Sequence, residues 1–144
     1  MKAIIFDFNR TLYNPESKGL VENAVACLKK LSKEYILFLV VKGGEERKNL
    51  IHSLNIDRFF KFISVEEEKS INQFKECQSK LNPNTKWFVV GDRIRREIRF
   101  GNQCDMKTIW LKSGKFASEG PRKDIERPDV IIHEFEEILE VIKN

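Results

Sequence analysis

The residues Ala3-Ile4-Ile5-Phe6 deliver a carboxylate, Asp7, to the end of an apolar run, and the turn that follows carries Asn9, Arg10 and Thr11. The run over residues 3–8 is rich in β-branched and aromatic side chains and reads as a strand buried on both faces, as in a parallel sheet. Open α/β sheets build their sites at the carboxyl ends of such strands. An Asp in that place, followed by a Thr-bearing turn, has the chemistry of a nucleophile rather than of a core residue. Two residues on, where a second carboxylate would serve proton transfer, stands an amide, Asn9. A second apolar run, Trp87-Phe88-Val89-Val90, ends in Gly91-Asp92 and is followed by Glu97.

These side chains need a scaffold, and the periodicity of the chain supplies one. After the first strand, residues 13–19 have turn chemistry. Val21, Val25, Leu28 and Leu31 recur at helical spacing and predict a helix over 21–33. A buried strand is expected over 36–41, a helix over 45–54 and a strand over 59–65. Ser70 can cap a helix that runs to about residue 81, with Pro83 just beyond. Strands are then expected over 87–90 and 107–111 with a helix over 94–103 between them, and a short strand over 130–132 with a helix over 135–142. Residues 113–128 form a charged, Gly- and Pro-bearing loop long enough to be either mobile or functional. Strand alternating with helix predicts a three-layer α/β fold, a parallel central sheet with helices on both faces, in one domain over residues 1–144.

Composition narrows the class. With 144 residues, 41% hydrophobic and 33% charged, the chain suits one soluble domain with a real core. No apolar run reaches the ~18 residues of a membrane helix, and Lys2 leads straight into a strand, so neither a span nor a signal peptide is expected. Cys27, Cys77 and Cys104 lack metal-ligand spacing and suit reduced thiols, so a cytoplasmic location is the expectation. The net charge is +4, and Arg93, Arg95, Arg96 and Arg99 crowd together just after Asp92. Such a cluster is solvated surface, or it attracts an anionic substrate. Aromatic residues are not interleaved with the basic ones as single-strand binding requires, which disfavours nucleic acid as a partner.

The ordered positions resemble the haloacid dehalogenase superfamily, whose first motif is an apolar strand followed by Asp-x-Asp-x-Thr. Asp7, Asn9 and Thr11 occupy it, with Asn9 in place of the second Asp. The family's second motif ends a strand in Ser or Thr that binds the transferring phosphoryl group; the matching position is Val41, with Lys42 beside it. Lys69, ahead of a helix, fits the third motif, and Gly91-Asp92 with Glu97 the fourth. The similarity covers nearly the whole chain and implies a Rossmann-like phosphatase core. It implies Asp7 as nucleophile, and Mg²⁺ held by Asp7, Asp92 and the backbone carbonyl of Asn9, with Glu97 holding the metal through water or fixing Lys69. Lys69 would neutralise charge in the transition state.

The departures from the family pattern bear on turnover. Asn9 cannot exchange a proton, and losing a general acid–base group costs ~10²–10⁴-fold in rate. Val41 offers no hydroxyl; a hydrogen bond to a charged oxygen is worth roughly 1.5–3 kcal/mol. Thr11 and Val41 fall at substrate-binding positions by the same resemblance, and Arg10, a planar bidentate donor, and Lys42 are candidates for substrate phosphate in compensation. Between Asp7 and Val41 lie 33 residues, and between Val41 and Lys69 lie 27, all absorbed by the elements above, so no cap domain is expected. An open site of this kind suits a phosphorylated small molecule or macromolecule, or closure by homo-oligomerisation. Two readings follow: a slow or specialised Mg²⁺-dependent phosphohydrolase, or a catalytically impaired descendant that binds Mg²⁺ and a phosphorylated ligand or a protein partner.

Overall fold

The runs that are rich in branched and aromatic residues become the strands of one sheet. The computed structural model describes residues 1–143. The principal strands are β1 (Lys2–Asp7), β4 (Ile36–Lys42), β5 (Phe60–Glu66), β6 (Lys86–Gly91), β7 (Lys107–Leu111) and β8 (Val130–Ile132), and a small hairpin supplies β2 (Tyr13–Asn14) and β3 (Gly19–Leu20). The six-stranded sheet has the order β5-β4-β1-β6-β7-β8, and every pair in it is parallel. The chain starts in the middle of the sheet, builds one side through β4 and β5, then crosses back beyond β1 to build the other. The direction of winding therefore reverses between β1 and β6, where a crevice opens at the carboxyl ends of the strands.

Alternation along the strands divides the apolar residues between two cores. Ile4, Phe6, Leu37, Leu39, Val41, Phe88 and Val90 face one layer; Ala3, Ile5, Phe38, Val40, Trp87 and Val89 face the other. Helices α1 (Ala24–Leu31), α2 (Glu45–Ser53) and α5 (Ile138–Val141) cover the first face through Leu28, Ile51 and Ile138. Helices α3 (Ile71–Ser79) and α4 (Arg99–Gln103) cover the second through Phe74, Cys77 and Phe100. Burying a side chain such as Phe6 or Phe38 contributes about 1.5–3 kcal/mol, and the central strands carry buried apolar residues along most of their length. The three-layer parallel architecture expected from the sequence is the one observed.

Four local expectations shift. Residues 13–14 and 19–20 pair as a hairpin instead of forming a bare turn, with the Asn14 side-chain oxygen accepting from the Glu16 amide inside it. Helix α1 begins at Ala24, not at residue 21, because Asn23 is left-handed at φ 66° and breaks the helical path. The helix expected over 94–103 opens as a π turn, Ile94–Ile98, before α4. The one expected over 135–142 is a 3₁₀ turn, Phe135–Glu137, that leads into α5. Ser70 caps α3 as expected, in a reciprocal capping box with Gln73. The loop over 113–128 is organised by two acids: Glu126, fully buried, accepts from the Arg122 amide and guanidinium, and Glu119 accepts from Arg93 and from the Ile94 amide. All three cysteines are free thiols. No helix among the described residues is long and apolar enough to cross a membrane.

Candidate active site

Parallel register brings the chemistry-bearing residues to the crevice. Asp7 closes β1 beside Val40 of β4, while Phe6 pairs with Val90, two residues ahead of Asp92. Lys69, from the connection between β5 and α3, reaches into the gap with its side chain only 4% exposed. Its Nζ donates to Asp7 Oδ1 and to Glu97 Oε1, both at 2.6 Å. The Thr11 hydroxyl donates to the other Asp7 oxygen at 3.3 Å. Glu97 gets this close because position 91 is glycine: a Cβ there would stand 2.7 Å from the Glu97 Cβ. The π turn carries Glu97 inward, a use to which such widened turns are often put. Asp92 is anchored through its backbone, whose carbonyl accepts from Trp110 Nε1 at 3.0 Å. Its side-chain Oδ2 accepts from Arg10 Nε at 3.2 Å.

The three carboxylates are nearly inaccessible, Asp7 at 5%, Asp92 at 1% and Glu97 at 2% exposure, and their charges are unequal in consequence. Burial would raise the Asp7 carboxyl, but the Lys69 ammonium outweighs it and holds the group below the ordinary carboxylate range. Asp92 is pushed up to about 8 by burial and by the negative charge of Asp7 and Glu97, against which Arg10 is a lesser influence. Glu97 is raised by burial and by Asp7, despite its bond to Lys69. Burial works against the Lys69 ammonium, yet Asp7 and Glu97 hold it firmly protonated. The site thus keeps a charged candidate nucleophile and a charged lysine at neutral pH, and carries more buried carboxyl groups than its own cations hold in the charged form.

That surplus has a structural signature. Single oxygens of Asp7, Asp92 and Glu97 all lie within 4.8 Å of one another. Glu97 Oε2 is buried with no hydrogen-bond partner, as is Asn9 Oδ1. A cluster of hard carboxylate oxygens with an unsatisfied member suits a hard divalent cation such as Mg²⁺.

A cavity of about 480 Å³ opens over this floor, and Asp7, Asn9, Arg10, Val41, Lys42, Lys69, Asp92 and Glu97 all line it. Their convergence is what the sequence predicted. Thr11 is the exception: it is fully buried and its hydroxyl addresses Asp7. Read from the sequence as substrate-binding, it has its hydroxyl placed to orient the Asp7 carboxylate. Val41 reaches the cavity but is 2% exposed and belongs to the same apolar core as Phe6, Phe8 and Leu12, so the position is core as well as wall. Lys42 stands at the rim, 3.8 Å from Glu68. Arg10, read from the sequence as a phosphate donor, is engaged by Asp92 instead.

Arg93 and Arg96 of the basic cluster also line the cavity, and sequence reasoning missed two further lining residues, Arg47 and Phe116. Arg47 folds against Gly43, whose φ of 149° and lack of a Cβ leave room for it. Phe116 is the sole aromatic of the loop over 113–128, and it packs under two guanidinium groups, Arg93 at 3.8 Å and Arg10 at 4.9 Å from the ring centre. Arg93 is in turn held by Glu119, so much of the basic cluster after Asp92 fastens this loop over the cleft.

Comparison with known proteins agrees with this arrangement. The HAD-hydrolase-like family model matches residues 72–138. A glyceraldehyde 3-phosphate phosphatase of Methanopyrus kandleri is 31% identical over 96 residues, 62% of this chain and 41% of the relative. One of Pyrococcus furiosus is 28% identical over 131 residues, 85% of this chain and 54% of the relative. The chain therefore spans about half the length of these relatives or less. Among solved structures, an uncharacterized protein from Listeria monocytogenes superimposes with a TM-score of 0.82 at 17% identity, covering 99% of this chain and 97% of the other. A HAD phosphatase from Thermococcus onnurineus gives 0.77 at 12% identity, covering 99% and 98%. The L-2-haloacid dehalogenase of Xanthobacter autotrophicus gives 0.78 at 8% identity, covering 100% and 99%, a likeness of fold alone.

Proposed function

We propose that this chain, a haloacid dehalogenase-like protein, is a Mg²⁺-dependent phosphohydrolase that works through an aspartyl-phosphate on Asp7. The observation that carries the reading is the placement of Lys69 Nζ 2.6 Å from both Asp7 and Glu97, with Asp92 on the same cavity floor. Asp7 is the group held in its charged form and is fixed by Lys69 and Thr11, so it is the nucleophile. Its carboxylate attacks phosphorus, the bond to the leaving oxygen breaks, and water then releases phosphate from the aspartyl-phosphate and regenerates the carboxylate. Lys69 supplies positive charge beside the equatorial oxygens as charge spreads. Asp7, Asp92 and Glu97 would hold Mg²⁺, which offsets repulsion between the nucleophile and an anionic phosphate.

Asn9 and Val41 limit the rate. Asn9 cannot protonate the leaving oxygen or take a proton from water, which costs ~10²–10⁴-fold. Substrates whose leaving groups need no proton, aryl and acyl phosphates, suffer least in the first step. The glyceraldehyde 3-phosphate of the two archaeal relatives is a further candidate substrate. Between β1 and β4 the chain holds only the β2–β3 hairpin and α1. We read the core as capless, with a mouth open to a phosphorylated small molecule or macromolecule, or closed by a second copy of the chain.

Incubating the protein with Mg²⁺ and p-nitrophenyl or acetyl phosphate tests this, with Asp7→Asn as the control. Turnover at least ~10³-fold above the control is expected; turnover equal to the control overturns the reading. One observation favours a second reading, a non-catalytic binder of Mg²⁺ and a phosphorylated ligand: Val41 is packed into the core, so the wall facing the phosphoryl group lacks a hydroxyl where the family pattern has one. Activity that appears only in the double variant Asn9→Asp with Val41→Thr would establish that alternative.

A further inference from the structure

Arg10 occupies a peculiar position. It has a left-handed backbone, φ 62°, uncommon for a long side chain and associated with strain at functional sites. Its amide is tied to the Tyr13 carbonyl at 2.7 Å, and the turn so closed sends the guanidinium back into the cleft. There it makes an ion pair with Asp92 Oδ2 at 3.2 Å, and Asp92 is 1% exposed. Among the described residues no other cation pairs with the Asp92 side chain. Arg10 therefore neutralises an oxygen of the same acidic cluster that suits a divalent cation. The same guanidinium already rests against the ring of Phe116, whose centre is 4.9 Å from its Cζ, a contact that does not depend on Asp92. That ring is pinned by Arg93 and, through it, by Glu119.

We propose that Arg10 is a built-in counter-ion of the metal site: it occupies Asp92 Oδ2 in the metal-free protein, and a divalent cation displaces it from Asp92, leaving it against Phe116 in the cavity. The inference rests on the metal-dependent reading of the site. The physical ground is simple. A guanidinium bound to a carboxylate and a divalent cation on the same carboxylate repel each other at short range in a poorly solvated pocket. Each therefore weakens the other's hold by the same factor. A guanidinium released into the cavity is also positioned to meet an anionic substrate. Metal uptake then precedes and prepares substrate binding, and the cluster avoids standing uncompensated when no metal is present.

Mn²⁺ binding, followed by electron paramagnetic resonance of the free ion, tests this on wild type, Arg10→Met, Arg10→Lys and Arg47→Met. Arg47 lines the same cavity but has no contact with Asp92, so it reports the effect of overall charge alone. Arg10→Met is expected to bind Mn²⁺ about 10-fold more tightly than wild type, and Arg47→Met within about 2-fold of it. In nitrogen-15 spectra, the Arg10 Nε–Hε resonance, identified by its loss in Arg10→Met, is expected to move when diamagnetic Mg²⁺ is added. Equal or weaker binding by Arg10→Met overturns the proposal, as does an equal gain in Arg47→Met or a resonance that saturating Mg²⁺ leaves in place. If Arg10→Met does not fold, Arg10→Lys, with a shorter reach and a single ammonium, serves in its stead and is expected to bind more tightly than wild type. Turnover by wild type with no gain in Arg10→Met would defeat the counter-ion role alone; the gain without turnover would defeat the hydrolase reading alone.

Discussion

The two walls of the cleft are built on opposite terms. On the β1–β6 side, Asp7, Lys69, Asp92 and Glu97 are buried and linked to one another by hydrogen bonds or direct charge interaction. On the β4 side, Val41 belongs to the apolar core with Phe6, Phe8 and Leu12, and the Asn9 amide oxygen, in the lining of the same cavity, has no hydrogen-bond partner. The difference is one of interdependence. Removing a single charge from the first wall strands the others in a low-dielectric interior, which stability opposes as strongly as function does. Replacing a hydroxyl by a valine methyl on the second wall removes a polar group that folding had to accommodate. A fold can therefore retain its charge network intact while the groups that handle phosphoryl oxygen and the proton change beside it.

This contrast can be sharpened from the second wall and broken from the first. Asn9→Asp restores a proton-transfer group and is expected to raise turnover of an alkyl phosphate by ~10²–10⁴-fold, measured as initial rates of phosphate release. No gain would place the limitation elsewhere. Lys69→Met leaves Asp7 and Glu97 buried without their cation and is expected to destabilise the protein by about 3–5 kcal/mol in urea unfolding, besides abolishing turnover. A loss below about 1 kcal/mol would mean that the wall is less coupled than its geometry suggests. Val41→Thr is a smaller step: a gain of roughly 10-fold in kcat/KM is expected from one hydrogen bond to a charged oxygen, accompanied by a loss of stability as a hydroxyl enters the core.

The smallest effect is a pH dependence with a definite sign. Asp92 is pushed up to about 8, so between the ordinary carboxylate range and that value the folded protein holds a proton that the unfolded chain has released. Its contribution then makes stability fall as pH rises across that interval. Asp7, held below its ordinary value, acts in the opposite direction and only at acid pH. In EDTA, Tm is expected to decline from about pH 5 to pH 8. Mg²⁺ would flatten that decline, and Asp92→Asn would reduce it, Glu97 being raised in the same direction, as differential scanning calorimetry can register.

Much of this was legible in the chain itself. The runs that became β1, β4, β6 and β7 are apolar on both faces, and only a parallel interior strand requires that, so the layer architecture and the strand-end placement of Asp7 and Asp92 were determined locally. So was the cap at Ser70, whose partner Gln73 lies three residues on. The β2–β3 hairpin was hidden because strands of two residues carry no periodicity, and the late start of α1 because a left-handed Asn23 is a backbone choice that composition does not announce. Tertiary structure alone decided the rest. Thr11 was turned inward to Asp7, and Arg10 was brought to Asp92 across 82 positions of sequence. Arg47 and Phe116 came to the cavity from elements whose own patterns say nothing of a site. Residue types and strand ends depend on short-range preferences, which a sequence displays directly. Which buried charge finds which partner depends on a shared low-dielectric space that exists only after the sheet has closed, and no local pattern contains it.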